Sequence, residues 1–150
     1  MTDDRLIVSD VDDGLEKTLA DLIYEFNVDA TGFDDGRFLG AAFRADDGSL
    51  EAGLSGWTWG GCAYVDHLWV RADLRGTGLG SRLLAAAEAE ATARGCFQVI
   101  VFSHTFQAPD FYLERGYAEY ARTRESPRGH ADVHLVKALP PAGDTKEEAP

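Results

Sequence analysis

The chain has 150 residues, of which 45% are apolar and 27% charged, a length and composition that suit one globular domain rather than a disordered chain. Its 26 Asp and Glu against 14 Lys and Arg give a net charge of −12. That balance argues against a nucleic-acid binder, which needs a basic face, and against docking on an anionic membrane.

The acidity is uneven. Residues 1–60 hold fourteen acids and four bases, residues 61–139 hold nine of each, and residues 140–150 hold three acids and one Lys. The last eleven residues therefore read as a flexible acidic tail behind a domain spanning 1–139. The acidic N-terminus lacks the apolar core of a secretory signal, and no stretch is long and apolar enough to span a membrane. Cys62 and Cys96 are too few for a disulfide framework; free thiols in a reducing, cytoplasmic setting are expected.

In chain order, Arg5 to Val8 is a short strand candidate. Leu15, Leu19, Leu22, Ile23 and Phe26 fall at helical spacing, with Asp12 or Asp13 as N-cap, and a loop with room for one helical turn is expected from Asn27 to Gly36. Arg37 to Arg44 reads as a strand before an Asp46-Asp47-Gly48 turn. Leu50 to Trp59 and Cys62 to Val70 form a hairpin about Gly60-Gly61. A glycine-rich loop over 71–82 leads into an Ala/Leu/Glu helix, Ser81 to Arg94, ended by Gly95. Phe97 to Phe102 is a buried strand, Pro109 to Arg115 a short helix, and Tyr117 to Thr123 and His130 to Leu139 are the last strands. The order predicts an α/β protein of the α+β type, a mixed sheet of six or seven strands with helices on both faces.

The glycine-rich loop carries the first chemical signal. Glycines let backbone approach a ligand, and the unpaired N–H groups of the following helix favour an anion. Gly76, Gly78 and Gly80 miss the dinucleotide spacing, and Ser81-Arg82 misses the Lys-Ser/Thr of a Walker loop. Arg75, Gly78 and Gly80 do match Arg/Gln-x-x-Gly-x-Gly/Ala, and Ala108, Tyr112, Gly116 and Tyr117 match Ala-x-x-x-Tyr-x-x-x-Gly-Phe/Tyr. With both motifs at this separation and a strand between them, the sequence resembles the GCN5-related N-acetyltransferase (GNAT) superfamily over most of residues 5–139.

The resemblance implies an acetyl-CoA-dependent N-acetyltransferase, with acetyl-CoA as co-substrate in a cleft between splayed central strands. Leu68, Trp69 and Val70 would meet its pantetheine arm, and Arg75, Gly76, Thr77, Gly78, Leu79, Gly80 and Ser81 its pyrophosphate, with Arg71 and Arg82 adding positive charge nearby. Tyr112 would protonate the departing thiolate and Asp66 or His67, directly or through a water, would take the proton of the attacking amine. Strand alternation puts Tyr64, Asp66, Leu68 and Val70 on one face and Val65, His67 and Trp69 on the other, a parity that a bulge at the splay would break. Thr105 stands where many relatives carry an Asn that contacts the pantetheine arm; Thr reaches less far, and His104 and Gln107 are its neighbours.

The acceptor implied is a small-molecule or peptide amine. A cationic one would suit the acidity of the first sixty residues, which in this fold help to build the acceptor side. Homodimer formation through the C-terminal strands is a family habit. His130, Asp132 and His134 share one strand face, but three ligands on a flat strand lack a fourth, so no metal is expected and His130 is read as a substrate contact. The competing function is a non-catalytic acyl-CoA-binding regulatory module, which would keep the loop and lack the acid and base.

Overall fold

The computed structural model describes residues 5–141 and 143; most of the tail expected over 140–150 lies outside them. The residues up to Asp34 form one compact unit and those from Asp35 onward a second. The first unit is organised by α1 (Leu15–Thr31). The N-cap is Gly14 rather than the expected Asp12 or Asp13, although Asp12 Oδ1 accepts from the N–H groups of Gly14 (2.9 Å) and Glu16 (3.3 Å) from two residues ahead of it. The helix runs through the segment expected as loop and stops only at Gly32, whose N–H donates to the Val28 carbonyl. Asn27 to Thr31 are indifferent helix formers, but nothing in them breaks a helix before that glycine. The strand expected over 5–8 is absent: Leu6, Ile7 and Val8 are exposed and join no ladder.

The second unit is a six-stranded mixed sheet: β1 (Arg37–Arg44), β2 (Leu50–Trp59), β3 (Cys62–Val70), β4 (Gln98–His104), β5 (Ala118–Arg124) and β6 (Ala131–Ala138). The order across it is β1-β2-β3-β4-β6-β5, with β3–β4 the one parallel pair among the described strands. A parallel pair needs a crossover, and α2 (Leu79–Ala93) supplies it. It begins two residues before the expected start, so Gly80 lies in its first turn. Its Leu83, Leu84, Ala87 and Ala91 are buried with Leu39, Ala52, Leu54, Ala63, Val65, Val99, Val101, Val133 and Leu135, the inward positions of five strands. Arg94 fastens the far end, donating to the Phe38 carbonyl (2.9 Å) and the buried Thr58 hydroxyl (3.1 Å). A short helix α3 (Pro109–Leu113) follows β4.

Two irregularities open the middle of this sheet. The β3–β4 ladder runs from Cys62↔Gln98 to Val65↔Val101 and ends there, while β4 continues against β6 as far as His104↔Asp132. At the same level β2 opposes β3 as Ser55↔His67 and Gly56↔Val65, leaving Asp66 as an extra residue, a β-bulge. The bulge breaks the simple alternation: buried Val65 is followed on the inner face by half-buried Leu68 and Val70. Gly56 is what lets the strands approach here, since a Cβ on it would run into the Tyr64 carbonyl.

A cavity at the splayed strands

Where β3 and β4 part, a cavity of about 950 Å³ opens between them. Its walls are Val65 to Val70 of β3, Val101 to Ser103 of β4, the loop and first turn of α2, and Phe106 to Ala108 with Phe111, Tyr112 and Arg115 around α3. Asp66, His67, Leu68, Trp69, Val70, Arg75, Gly76, Gly78, Leu79, Gly80, Ser81 and Tyr112 are therefore brought together around one space. Thr77 and Thr105 are not among its lining residues. Thr77 turns its hydroxyl to the Leu74 carbonyl, and Thr105 pairs with Ala131, accepting from that N–H at 3.1 Å.

One end of the cavity is built for an anion. Gly78 caps α2 in the left-handed region, φ +90°, a conformation that side chains other than glycine rarely adopt. The first intrahelical bond is Arg82 N–H to Gly78 C=O, which leaves the amides of Leu79, Gly80 and Ser81 without helical partners. Arg75 folds back so that its Nε donates to the Val70 carbonyl at 3.1 Å. At Gly80 a Cβ would make only ordinary contact with the Phe111 ring, so packing within the chain does not require glycine there.

A second arginine joins this end. Arg115 donates from Nε to the Ser81 hydroxyl (2.9 Å) and from Nη1 to the Phe111 carbonyl (2.8 Å), with its guanidinium 3.8 Å from the centre of the Phe111 ring. A cation beside a helix N-terminus opposes the helix dipole, an arrangement that an anion between them would relieve. Arg71 and Arg82, by contrast, are engaged elsewhere: Arg71 with Asp73 at 2.6 Å and Glu51 at 3.7 Å, Arg82 over the Phe43 ring. The sequence signal for Arg115 was its place beside Gly116, inside the second motif, where attention falls on Tyr112 instead.

The other polar groups lie toward the splay. Tyr112 is buried, its ring packed edge-on against Phe111 and Tyr117, and burial pushes its hydroxyl up to about 12. Asp66 and His67 are exposed on the β3 wall, and the His67 Nδ1 lies 3.3 Å from the Ser55 hydroxyl. Cavity, anion end, protonated phenol and candidate bases thus share one space.

Comparison with known proteins gives this arrangement a family. Residues 11–117 match the model of the acetyltransferase (GNAT) family. An acetyltransferase of Agrobacterium fabrum is 36% identical over 134 residues, 89% of this chain and 98% of that protein. The blasticidin-S acetyltransferase of Streptomyces morookaense is 46% identical over 96 residues, 61% of this chain and 68% of that one. Among solved structures, an acetyltransferase from Agrobacterium tumefaciens superposes with a TM-score of 0.82 at 32% identity, covering 89% and 98% of the two chains.

Proposed function

The chain belongs to the acetyltransferase (GNAT) family, and we propose that its cavity holds acetyl-CoA for direct attack by a small-molecule primary amine. Acetyl-CoA-dependent N-acetyl transfer is the activity of the protein; the residue roles and the acceptor are what is inferred. The observation that carries the reading is the meeting of the anion end and Tyr112 in one cavity at the splay. Among the described residues no group of three or more His, Cys, Asp or Glu side chains is arranged to hold a metal ion.

The pyrophosphate is assigned to the amides of Leu79, Gly80 and Ser81, with Arg75 and Arg115 flanking it. The absent side chain at Gly80 then has a reason, since a phosphate on the first turn would occupy that space. The unpaired edge of β3 beyond Val65 offers backbone groups of Leu68 and Val70 to the pantetheine amides. Ladder pairing of this kind places the thioester toward the splay and Tyr112.

A primary amine in water is mostly protonated at neutral pH and cannot attack. Asp66 or His67 takes its proton, directly or through a water, and both stand on the wall where the strands part. The amine nitrogen then bonds to the thioester carbon and gives up its surplus proton to solvent, the C–S bond breaks, and the sulfur leaves with the bonding pair. Tyr112, held in its protonated form by burial, passes its proton to that sulfur as negative charge builds on it and regains one from solvent, so that CoA leaves as the free thiol.

The acceptor of the Streptomyces relative makes blasticidin S the first amine to test. With a turned-over amine in hand, Tyr112→Phe is expected to lower kcat by on the order of 10²-fold with little change in acetyl-CoA affinity. An unchanged kcat overturns the role of Tyr112. Asp66→Asn and His67→Gln separate the two bases: loss of the acidic limb of the kcat/KM profile in one variant identifies it.

A further inference from the structure

The chain has four histidines, and all of them stand at this cavity or one side chain behind its wall. His67 lines it. His104 stacks on Phe106 (5.2 Å between ring centres) and His130 meets the same ring edge-on (5.0 Å). His134 lies 4.5 Å from the ring of Phe102, its direct partner across the β4–β6 ladder. Phe102 and Phe106 are cavity walls and both are more than half exposed. Tyr120 on β5 is exposed as well and approaches His134 at 6.0 Å, so aromatic rings extend from the cavity across the β4–β6–β5 face.

Inside that aromatic patch sits one carboxylate. Asp132 Oδ2 is 3.5 Å from His134 Nε2, its one ion-pair partner among the described residues. Its Oδ1 is buried and has no hydrogen-bond partner. A buried carboxylate oxygen left without a donor is costly, and a charge held only by an imidazole stays largely uncompensated when that imidazole is neutral. A negative charge among exposed aromatic faces is a site for a cation on a flat apolar body, drawn by the carboxylate and by the rings together.

We propose that Asp132, with Phe102, His134 and Tyr120, anchors a second cationic group of the acceptor, an ammonium or amidinium distinct from the amine that is acetylated. This deepens the acetyltransferase reading and rests on it. The division of labour follows from charge. A carboxylate that pairs with the reacting amine without taking its proton favours the protonated form and opposes attack, whereas a non-reacting cation can remain charged throughout. Phe102, shared by cavity and patch, is the point at which an acceptor anchored on Asp132 enters the space beside the thioester. The acceptor class is therefore a di- or polycationic amine with a planar or apolar linker.

The test uses the intact protein loaded with CoA, with benzylamine and benzyl alcohol as charged and uncharged probes of one shape, read by the ring resonances of the four histidines. Benzylamine is expected to shift the His134 signal saturably and to bind at least about tenfold more tightly than benzyl alcohol, a difference of about 1.4 kcal/mol. Asp132→Asn is expected to remove that preference, and Tyr120→Leu to weaken benzylamine several-fold. Equal binding of the two probes, no shift at His134, or a preference that survives Asp132→Asn overturns the inference. CoA affinity, measured by calorimetry on the same samples, reports separately. Loss of CoA binding in the unsubstituted protein sinks the cavity assignment, and intact CoA binding in Asp132→Asn shows that the variant is folded.

Discussion

Tyr112 is the residue on which chemistry and burial meet. Because desolvation raises its hydroxyl to about 12, the phenol is protonated at every pH at which an amine assay is practical. The activity profile should therefore rise with pH as base and amine lose protons, with no falling limb from Tyr112 below about pH 10. The stability consequence has the opposite sign. The unfolded phenol ionises near 10 and the folded one near 12, so stability is constant below pH 10 and falls between 10 and 12 as the unfolded state alone loses the proton. Tyr112→Phe should lessen that alkaline decline in a thermal-melt series against pH, leaving the part due to buried Tyr117, whose hydroxyl desolvation and Glu88 push up further; an identical decline would show that Tyr112 is not desolvated in solution. At this scale Tyr112, Arg75 and the loop glycines were legible, because motif spacing names them. Arg115 was not: its role depends on a hydrogen bond to Ser81, 34 positions away in sequence.

At the scale of elements, the cavity depends on how three strands are interrupted. The bulge at Asp66 shifts the phase of β3 just where its ladder with β4 ends, and Gly56 on β2 makes room for it. Gly56→Ala is expected to force the Tyr64 carbonyl aside, costing about 1–3 kcal/mol, or roughly 2–4 °C of Tm for each kcal/mol in a domain of this size. Acetyl-CoA affinity should fall with it, because the unpaired β3 edge moves. A variant with unchanged Tm and unchanged affinity would show that the close approach at Gly56 does not shape the cavity. The sequence allowed for a bulge in β3 but could not place it, since register is set by the pairing strand and not by the bulged one. The strand expected over 5–8 failed for a related reason: a short apolar run supplies a surface for pairing, not a partner. The extension of α1 to Thr31 shows the reverse case: Gly32, Gly36 and the paired Asp34-Asp35 mark the stretch as loop, yet the helix ends only where Gly32 stops it.

Across the whole molecule, the net charge of −12 hides a division that the fold makes useful. Residues 61–139 are neutral overall, and within them Arg75, Arg115 and the α2 N-terminus gather at one end of the cavity, while Asp66 lies on its wall and Asp132 pairs with His134, whose ring meets Phe102 of that wall. If the acceptor is cationic, as proposed, it and the polyanionic co-substrate would approach one reaction point from surfaces of opposite sign. The fold class and the glycine-rich turn into α2 could be read from the chain because they rest on local patterns. The charge division around the cavity could not, because β6 reaches β4 only through the sheet order β4-β6-β5. The account as a whole turns on amine-dependent cleavage of acetyl-CoA. Release of the free CoA thiol, followed with blasticidin S and with a series of mono- and dicationic primary amines, should depend on the amine and yield the acetylated amine in equal amount. Tight acetyl-CoA binding with no amine-dependent thiol release would contradict it.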